Sequence, residues 1–295
     1  LEGRVEVPIR SEKIDRLVQA PDGAWIGVGE GLIRIAPAPE RFESWPGVFR
    51  SVSFSPSGQI YLAGPEGLSF GEPGSLEQIP LDFLPTHILC LEGERYLVGD
   101  KQGRVHLLVG NPPQLKTSWP LFRGPVNGIA HYGEGHFVAC GKLGLERRGE
   151  AATLSLETGP ARRIKIPTVP RALVGGRFGW AMAGGEMIWF GTDKGSWSRP
   201  LLGTQHGGAL NLRSSHGGLI RGLALSPSRR YLASVAKTIS KGSELKIWDL
   251  LKEELLLSHA APNQHYEDVV WTSAGEIAVL IRSAILRWRC VPELP

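Results

Sequence analysis

The chain contains no run of 18 consecutive apolar residues, which excludes an ordinary membrane-spanning helix. It has only three cysteines, Cys90, Cys140 and Cys290. An odd number without a Cys-x-x-Cys pair supports neither a disulfide framework nor a structural zinc site. Cys90 and Cys140 lie in apolar runs, so free and mostly buried thiols in a reducing, cytoplasmic compartment are expected. Blocks of five or six like charges are missing, and the net charge is a mild +4. The densest basic cluster, Arg162, Arg163 and Lys165, can touch phosphates. A solvated strand edge that discourages edge-to-edge pairing explains it more simply, so nucleic acid is not the expected partner. A phosphate-cradling loop followed by Lys-Ser/Thr is absent, and so is a Gly-x-Ser-x-Gly elbow. The opening residues Leu1-Glu2-Gly3-Arg4 show neither an apolar signal segment nor an initiator Met, which leaves processing or a longer parent chain open.

Turn formers are in excess. The 295 residues include 38 glycines and 22 prolines, about a fifth of the chain against an average nearer 12%. The excess has no collagen period, and it leaves few long stretches free of both residues, which argues against a helical bundle. With 42% hydrophobic residues a sizeable core can form. These numbers point to a turn-rich, all-β protein.

The turns recur. Leu17-Val-Gln-Ala-Pro-Asp-Gly23-Ala-Trp-Ile-Gly-Val-Gly29 matches Val52-Ser-Phe-Ser-Pro-Ser-Gly58-Gln-Ile-Tyr-Leu-Ala-Gly64 and Ile88-Leu-Cys-Leu-Glu-Gly93-Glu-Arg-Tyr-Leu-Val-Gly99. In each, a turn glycine is followed six residues later by another. The spacing returns at Gly135 to Gly141 and Gly179 to Gly185, with degenerate copies around Arg229 and Gly275. Anchors at 23, 58, 93, 135, 179, 229 and 275 define seven copies at intervals of 35 to 50 residues, a repeat architecture. Each copy reads as apolar strand, turn, second strand, glycine turn and third strand. Some close with a more polar fourth segment, such as Arg41 to Trp45 or Leu115 to Trp119. A small sheet of this kind cannot bury both faces alone, so the copies must stack. The expected fold is all-β: a seven-bladed β-propeller forming a single domain over residues 1–295. The last copy stops after its third strand, and the alternating segment Arg4-Val-Glu-Val-Pro-Ile9 is expected to supply the outer strand that closes the last blade. Residues 244–261, free of Gly and Pro, also fit a helical stripe, but their place in the repeat favours strands.

The stretch Ile220-Arg-Gly-Leu-Ala-Leu225 through Glu244-Leu-Lys-Ile-Trp248-Asp249 resembles a WD-repeat blade, with Ser226-Pro227-Ser228 opening its first turn and Trp-Asp ending its third strand. Only this copy carries Trp-Asp, and most lack the Gly-His pair typical of the family. The first copy is also similar to the short repeats of bacterial sensor propellers. A fainter likeness is to the propeller component of bacterial systems that pair a MoxR-type ATPase with a von Willebrand A protein. That resemblance implies an ATPase or a von Willebrand A protein as partner.

No catalytic set emerges from the motifs. His206-Gly-Gly and His216-Gly-Gly lie on one connecting stretch, and two imidazoles there can bind a transition metal, but no third ligand is fixed by spacing. His87, His131 and His136 read as exposed or core-edge residues. Asp193-Lys-Gly195 and Asp100-Lys-Gln-Gly103 suit plain hairpin turns better than calcium loops, which need several oxygen ligands at once. Neither a metal nor any other cofactor is expected. Trp45, Trp119 and Trp197 fall in or near outer strands and suit packing between blades. Propeller geometry gives a further set: the residue eight before each anchor should stand at the rim of the central channel. These are Asp15, Arg50, Pro85 (or Thr86, if that copy is one residue shorter), Asn127, Arg171, Arg221 and Glu267. Three arginines among acids suit hydrogen-bonded recognition of a protein surface. The expected function is therefore a non-enzymatic interaction module or scaffold subunit in a larger assembly, holding its partner through Arg50, Arg171, Arg221, Asp15, Asn127 and Glu267. The alternative is a propeller enzyme of the metal-assisted hydrolase or lactonase type, using acids such as Asp15 and Glu267 at the channel.

Overall fold

The computed structural model describes residues 2–9, 13–35, 42–72, 75–133, 135–144, 148–176, 179–191, 215–238 and 242–289. Every regular element among them is a strand, and the strands form seven antiparallel sheets. The chain divides into two compact units: residues 12–130 with 135–170, and residues 1–11 with 131–134 and 171–295.

The first unit holds four sheets of four strands, each running in chain order from first to fourth strand. Sheet 1 is Ile14–Gln19, Trp25–Gly29, Gly31–Ile35 and Phe42–Pro46. Sheet 2 is Ser51–Phe54, Ile60–Gly64, Gly67–Gly71 and Glu77–Ile79. Sheet 3 is Pro85–Leu91, Arg95–Asp100, Arg104–Val109 and Gln114–Pro120. Sheet 4 is Val126–His131, His136–Lys142, Gly149–Ser155 and Gly159–Ile166. The cores lie between neighbouring sheets. Ile26, Val28 and Leu32 pack on Ile60 and Leu62, while Tyr61, Ala63 and Leu68 pack on Ile88, Tyr96 and Leu108. Leu97, Val105 and Leu107 meet Ile129, Phe137 and Ala152. A second strand covered on both faces has no polar side, which is why Trp25–Gly29 and Ile60–Gly64 are buried at every position and read as unbroken apolar or small residues. Fourth strands face solvent instead. Arg162, Arg163 and Lys165 are exposed on the last strand of sheet 4, the solvated edge their charge implied. Trp45 and Trp119 are half-buried and pack against the intersheet cores.

The second unit holds sheets 5 to 7. Sheet 5 shows three strands among the described residues, Ala172–Gly176, Gly179–Gly184 and Met187–Gly191. Sheet 6 is Leu219–Leu225, Tyr231–Thr238, Gly242–Asp249 and Glu254–Ala261. Residues 244–261 are thus strands; Leu245 faces His259 and Ile247 faces Leu257 across the pair. Sheet 7 runs Tyr266–Trp271, Glu276–Ile281, Ala284–Arg289 and then Glu2–Pro8 from the other end of the sequence. Val5 pairs with Arg287 and Val7 with Ile285, and the buried Val7 and Ile9 secure the closure. Cores again lie between sheets, with Ile188 and Phe190 on Ile220 and Trp248, and Val235 and Leu245 on Tyr266 and Val279.

All seven repeat anchors adopt positive φ, from 59° at Arg229 to 139° at Gly179. Glycine tolerates that region without strain, and Arg229 is the exception. Four of these turns use one device: a side-chain oxygen accepts from a backbone amide across the turn. Asp22 takes Ala24 N, Ser55 takes Gln59 N, Ser226 takes Tyr231 N and Thr272 takes Glu276 N.

Candidate functional site

The positions predicted for the rim cluster where first strands begin, and the backbone explains why they are special. In four sheets the register slips by one residue at this place, and in three of them the slipped residue is the one the fixed offset gives. Asp15 is skipped between the pairs Ile14–Gly29 and Arg16–Val28, and Arg221 between Ile220–Ala236 and Gly222–Val235. Glu267 is skipped between Tyr266–Ile281 and Asp268–Leu280. In sheet 3 the bulged residue is Thr86, because Pro85 pairs with Asp100 and is buried; that copy is one residue short. A bulge removes its extra residue from the ladder and re-aims the side chain.

In the first unit, Asp15 and Arg50 are exposed, while Asn127 is partly buried. Arg50 immediately precedes its strand and donates its amide to Ala63 O. Asn127 Nδ2 donates to Pro170 O at 2.9 Å, and the Thr86 hydroxyl faces Val126 O at 2.7 Å and Gly99 O at 3.1 Å. Asn127 and Thr86 therefore spend their polar groups holding neighbouring strands. In the second unit, Arg171 is exposed, and its amide donates to Ala183 O. Arg221 and Glu267 are brought together from adjacent sheets, with Nε and Oε2 at 3.8 Å.

Sequence reasoning missed an apolar feature at the same strand entries. Val48, Leu84 and Leu219 stand two residues before Arg50, Thr86 and Arg221, and are 44%, 45% and 42% exposed. The signal was available, since counting ten residues back from an anchor instead of eight reaches Val48 and Leu219.

Several polar groups singled out by the sequence are structural. His216 is fully buried, with Nε2 2.7 Å from Ser234 Oγ and Nδ1 3.1 Å from Glu244 Oε2. Trp248 Nε1 donates to the same Ser234 oxygen at 2.8 Å. Burial pushes the His216 pKa down, against the pull of Glu244. The hydrogen bond with His216, aided by Lys246 and opposed by burial, holds the Glu244 carboxyl at about 2. Both His216 ring nitrogens are thus committed; its companion His206, like Asp193, Gly195, Trp197 and Cys290, lies outside the described residues.

Asp100 likewise belongs to its hairpin. One carboxylate oxygen accepts from Arg104 N and the other lies 2.9 Å from His106 Nε2, while His106 Nδ1 is 2.7 Å from Ser118 Oγ. These are the members of a hydrolase triad with the two ring nitrogens exchanged, since there Nε2 faces the serine and Nδ1 the aspartate; the His106 side chain is also only 3% exposed and its ring is stacked on Phe83 at 3.7 Å. The network ties three strands of sheet 3 together and leaves no approach for a substrate to the base. His87 is also occupied, with Nε2 3.2 Å from Ile129 O; burial, reinforced by the charge of Arg16, lowers its pKa to about 4. His131 and His136 are exposed. Among the described residues no three His, Cys, Asp or Glu side chains converge as a metal site.

No family model matches this sequence, and no curated protein matches it. Solved structures do. The chain is similar to the crystal structure of the WD40 β-propeller domain of Doa1, with 11% identity, a TM-score of 0.74 and coverage of 99% of both chains. It is also similar to a chain of the Kuenenia stuttgartiensis hydrazine synthase, again with 11% identity and a TM-score of 0.74, over 94% of this chain and 96% of that one. At that identity the likeness shows the fold alone, a seven-bladed β-propeller with WD40-like neighbours.

Proposed function

We propose that this chain, as one propeller domain over residues 1–295, is a non-enzymatic interaction module that holds a protein partner at the strand-entry rim. The observation that carries this reading is the placement of exposed aliphatic side chains. Of seven large hydrophobic residues exposed among the described residues, three stand two positions before a rim residue. In the first unit, Val48 and Leu84 occupy that place on consecutive sheets, and exposed Arg50 follows Val48 by two residues. In the second, Leu219 precedes Arg221. Aliphatic contact area next to arginine is what a protein interface core uses, and a propeller often serves such contacts. Asp15, Arg171 and Glu267 add charge that sets partner choice more than affinity. The free thiols Cys90 and Cys140 suit a reducing, cytoplasmic compartment. An ATPase or a von Willebrand A protein as the partner rests on the sequence resemblance alone.

The test is a tagged pull-down at moderate salt with mass spectrometry, comparing wild type with Arg50→Ala/Arg171→Ala/Arg221→Ala and with Val48→Asp/Leu84→Asp. A stoichiometric partner lost in both variants, each still folded by circular dichroism, supports the rim. A partner retained by both moves the interface elsewhere on the molecule. The metal-assisted hydrolase alternative predicts stoichiometric divalent metal and hydrolysis that Asp15→Asn or Glu267→Gln abolishes.

A further inference from the structure

A second site stands in the first unit, at the opposite ends of the first strands from Arg50. The turns that follow the first strands of sheets 1 and 2 border a cleft of about 680 Å³, within the 300–1,000 Å³ range of ligand-binding pockets. Its apolar lining includes Ile26, Ile60 and the half-buried Phe54. Its charged lining is unbalanced: Asp22, Glu43 and Glu72 are three carboxylates against the single guanidinium of Arg34. Arg34 is already engaged by two of them, by direct hydrogen bond to Asp22 and at 3.6 Å from Glu43. The Glu72 carboxylate is exposed and has no ion-pair partner among the described residues. Burial works to raise the Asp22 pKa, but hydrogen bonds from Ala24 N and Arg34 outweigh it and keep the carboxyl below its ordinary range.

We propose that this cleft binds an arginine side chain presented by a peptide segment of a partner protein. The excess of carboxylates calls for a cation, and the aliphatic and aromatic lining calls for one with an apolar stem. Arginine combines both: its methylenes and planar head lie against the half-buried Phe54 ring, and its fork donates toward Glu72. The site is separate from the rim and does not depend on the function proposed for it.

The experiment is an NMR titration of the 15N-labelled full chain, following the amides of Gly58 and Gly71. Four probes are compared: the blocked pentapeptide acetyl-Gly-Ala-Arg-Ala-Gly-amide, its citrulline isostere, its lysine counterpart and agmatine. The arginine peptide is expected to saturate these shifts, and citrulline, which keeps the shape but loses the charge, to bind at least about tenfold more weakly. Glu72→Gln is expected to weaken the arginine peptide about tenfold. This exposed residue follows the third strand of sheet 2, and an unchanged amide spectrum elsewhere confirms that the variant is folded. Lys165→Glu, on the exposed last strand of sheet 4, is expected to leave the titration unchanged. Equal binding of the citrulline peptide, no effect of Glu72→Gln, or no saturation by 10 mM peptide overturns the site. Agmatine or the lysine peptide binding as tightly as the arginine peptide overturns the assignment to a peptide-borne arginine.

Discussion

Ser234 is the point on which the polar network of sheet 6 turns, and Ser234→Ala tests whether that network stabilises the fold. Its hydroxyl oxygen accepts from Trp248 Nε1 at 2.8 Å and bonds His216 Nε2 at 2.7 Å. Ser234, Trp248 and His216 all show zero exposure, so water cannot replace the lost oxygen without opening the core. Each buried polar group left without a partner costs about 1–3 kcal/mol, and two are orphaned. The expected loss is therefore about 2–6 kcal/mol, read as a fall in urea midpoint of roughly 0.7–2 M for an m-value of about 3 kcal/mol/M. A double-mutant cycle with Trp248→Phe isolates the bond. On the Ser234→Ala background that substitution also removes the orphaned indole N–H, so it should cost about 1–2 kcal/mol less than in wild type. Urea unfolding followed by circular dichroism measures all four proteins without relying on the tryptophan being changed. A loss below about 0.5 kcal/mol for Ser234→Ala, or strictly additive effects, would refute the reasoning.

Three further outcomes follow from the same geometry. Gly222→Ala sets a Cβ 2.2 Å from Asp268 Oδ1 and 2.9 Å from the Asp268 Cα and Val269 N of the next sheet; overpacking of this kind costs about 1–3 kcal/mol, and a thermal melt should show a clear loss. Cys90 and Cys140 have their thiols pushed up to about 12 by burial, which outweighs the hydrogen bond with Ser53 at Cys90 and the charge of Arg16 at Cys140, so iodoacetamide at pH 8 should leave both unmodified in the native protein and alkylate both in urea, by peptide mass spectrometry. Stability should fall on acidification in two stages: His87, at about 4 when folded and 6.5 when unfolded, loses stability for the fold as pH drops from about 6.5 to 4, and Glu244, held at about 2 against 4.5, does so from about 4.5 to 2. His87→Gln should make the upper stage shallower, with the remainder due to the buried His216, whose pKa is also pushed down by burial, and should leave the lower stage unchanged in pH-dependent urea titrations.

Fold class was legible because it rests on local chemistry repeated seven times. Turn glycines at a fixed offset require positive φ, second strands covered on both sides require apolar residues, and both demands are written into each copy. The closing strand Glu2–Pro8 was readable for the same reason, since an alternating segment before the first copy matches a missing strand in the last. Arg229 shows the limit of that reasoning: a non-glycine anchor keeps the left-handed conformation because its turn is held by Ser226 and Ser228.

Side-chain pairing across distant positions had no such local signal. A histidine followed by two glycines reads the same whether it faces solvent or, like His216, fills a buried network with Ser234 and Glu244 far along the chain. Asp100-Lys-Gln-Gly looks like any acidic turn until His106 and Ser118 are placed beside it. The sequence left Pro85 and Thr86 as alternatives at the start of sheet 3, and only the one-residue change of register there decides for Thr86 as the bulged residue. Nor does the sequence order announce that Asp22, Arg34, Glu43 and Glu72 border one cleft, because two sheets must stack before their turns become neighbours. The sequence by itself determined the repeating backbone, through residue types that act within a few positions of themselves. The tertiary structure alone decided which charges and hydroxyls meet, because those contacts depend on distances between sheets that no periodicity encodes.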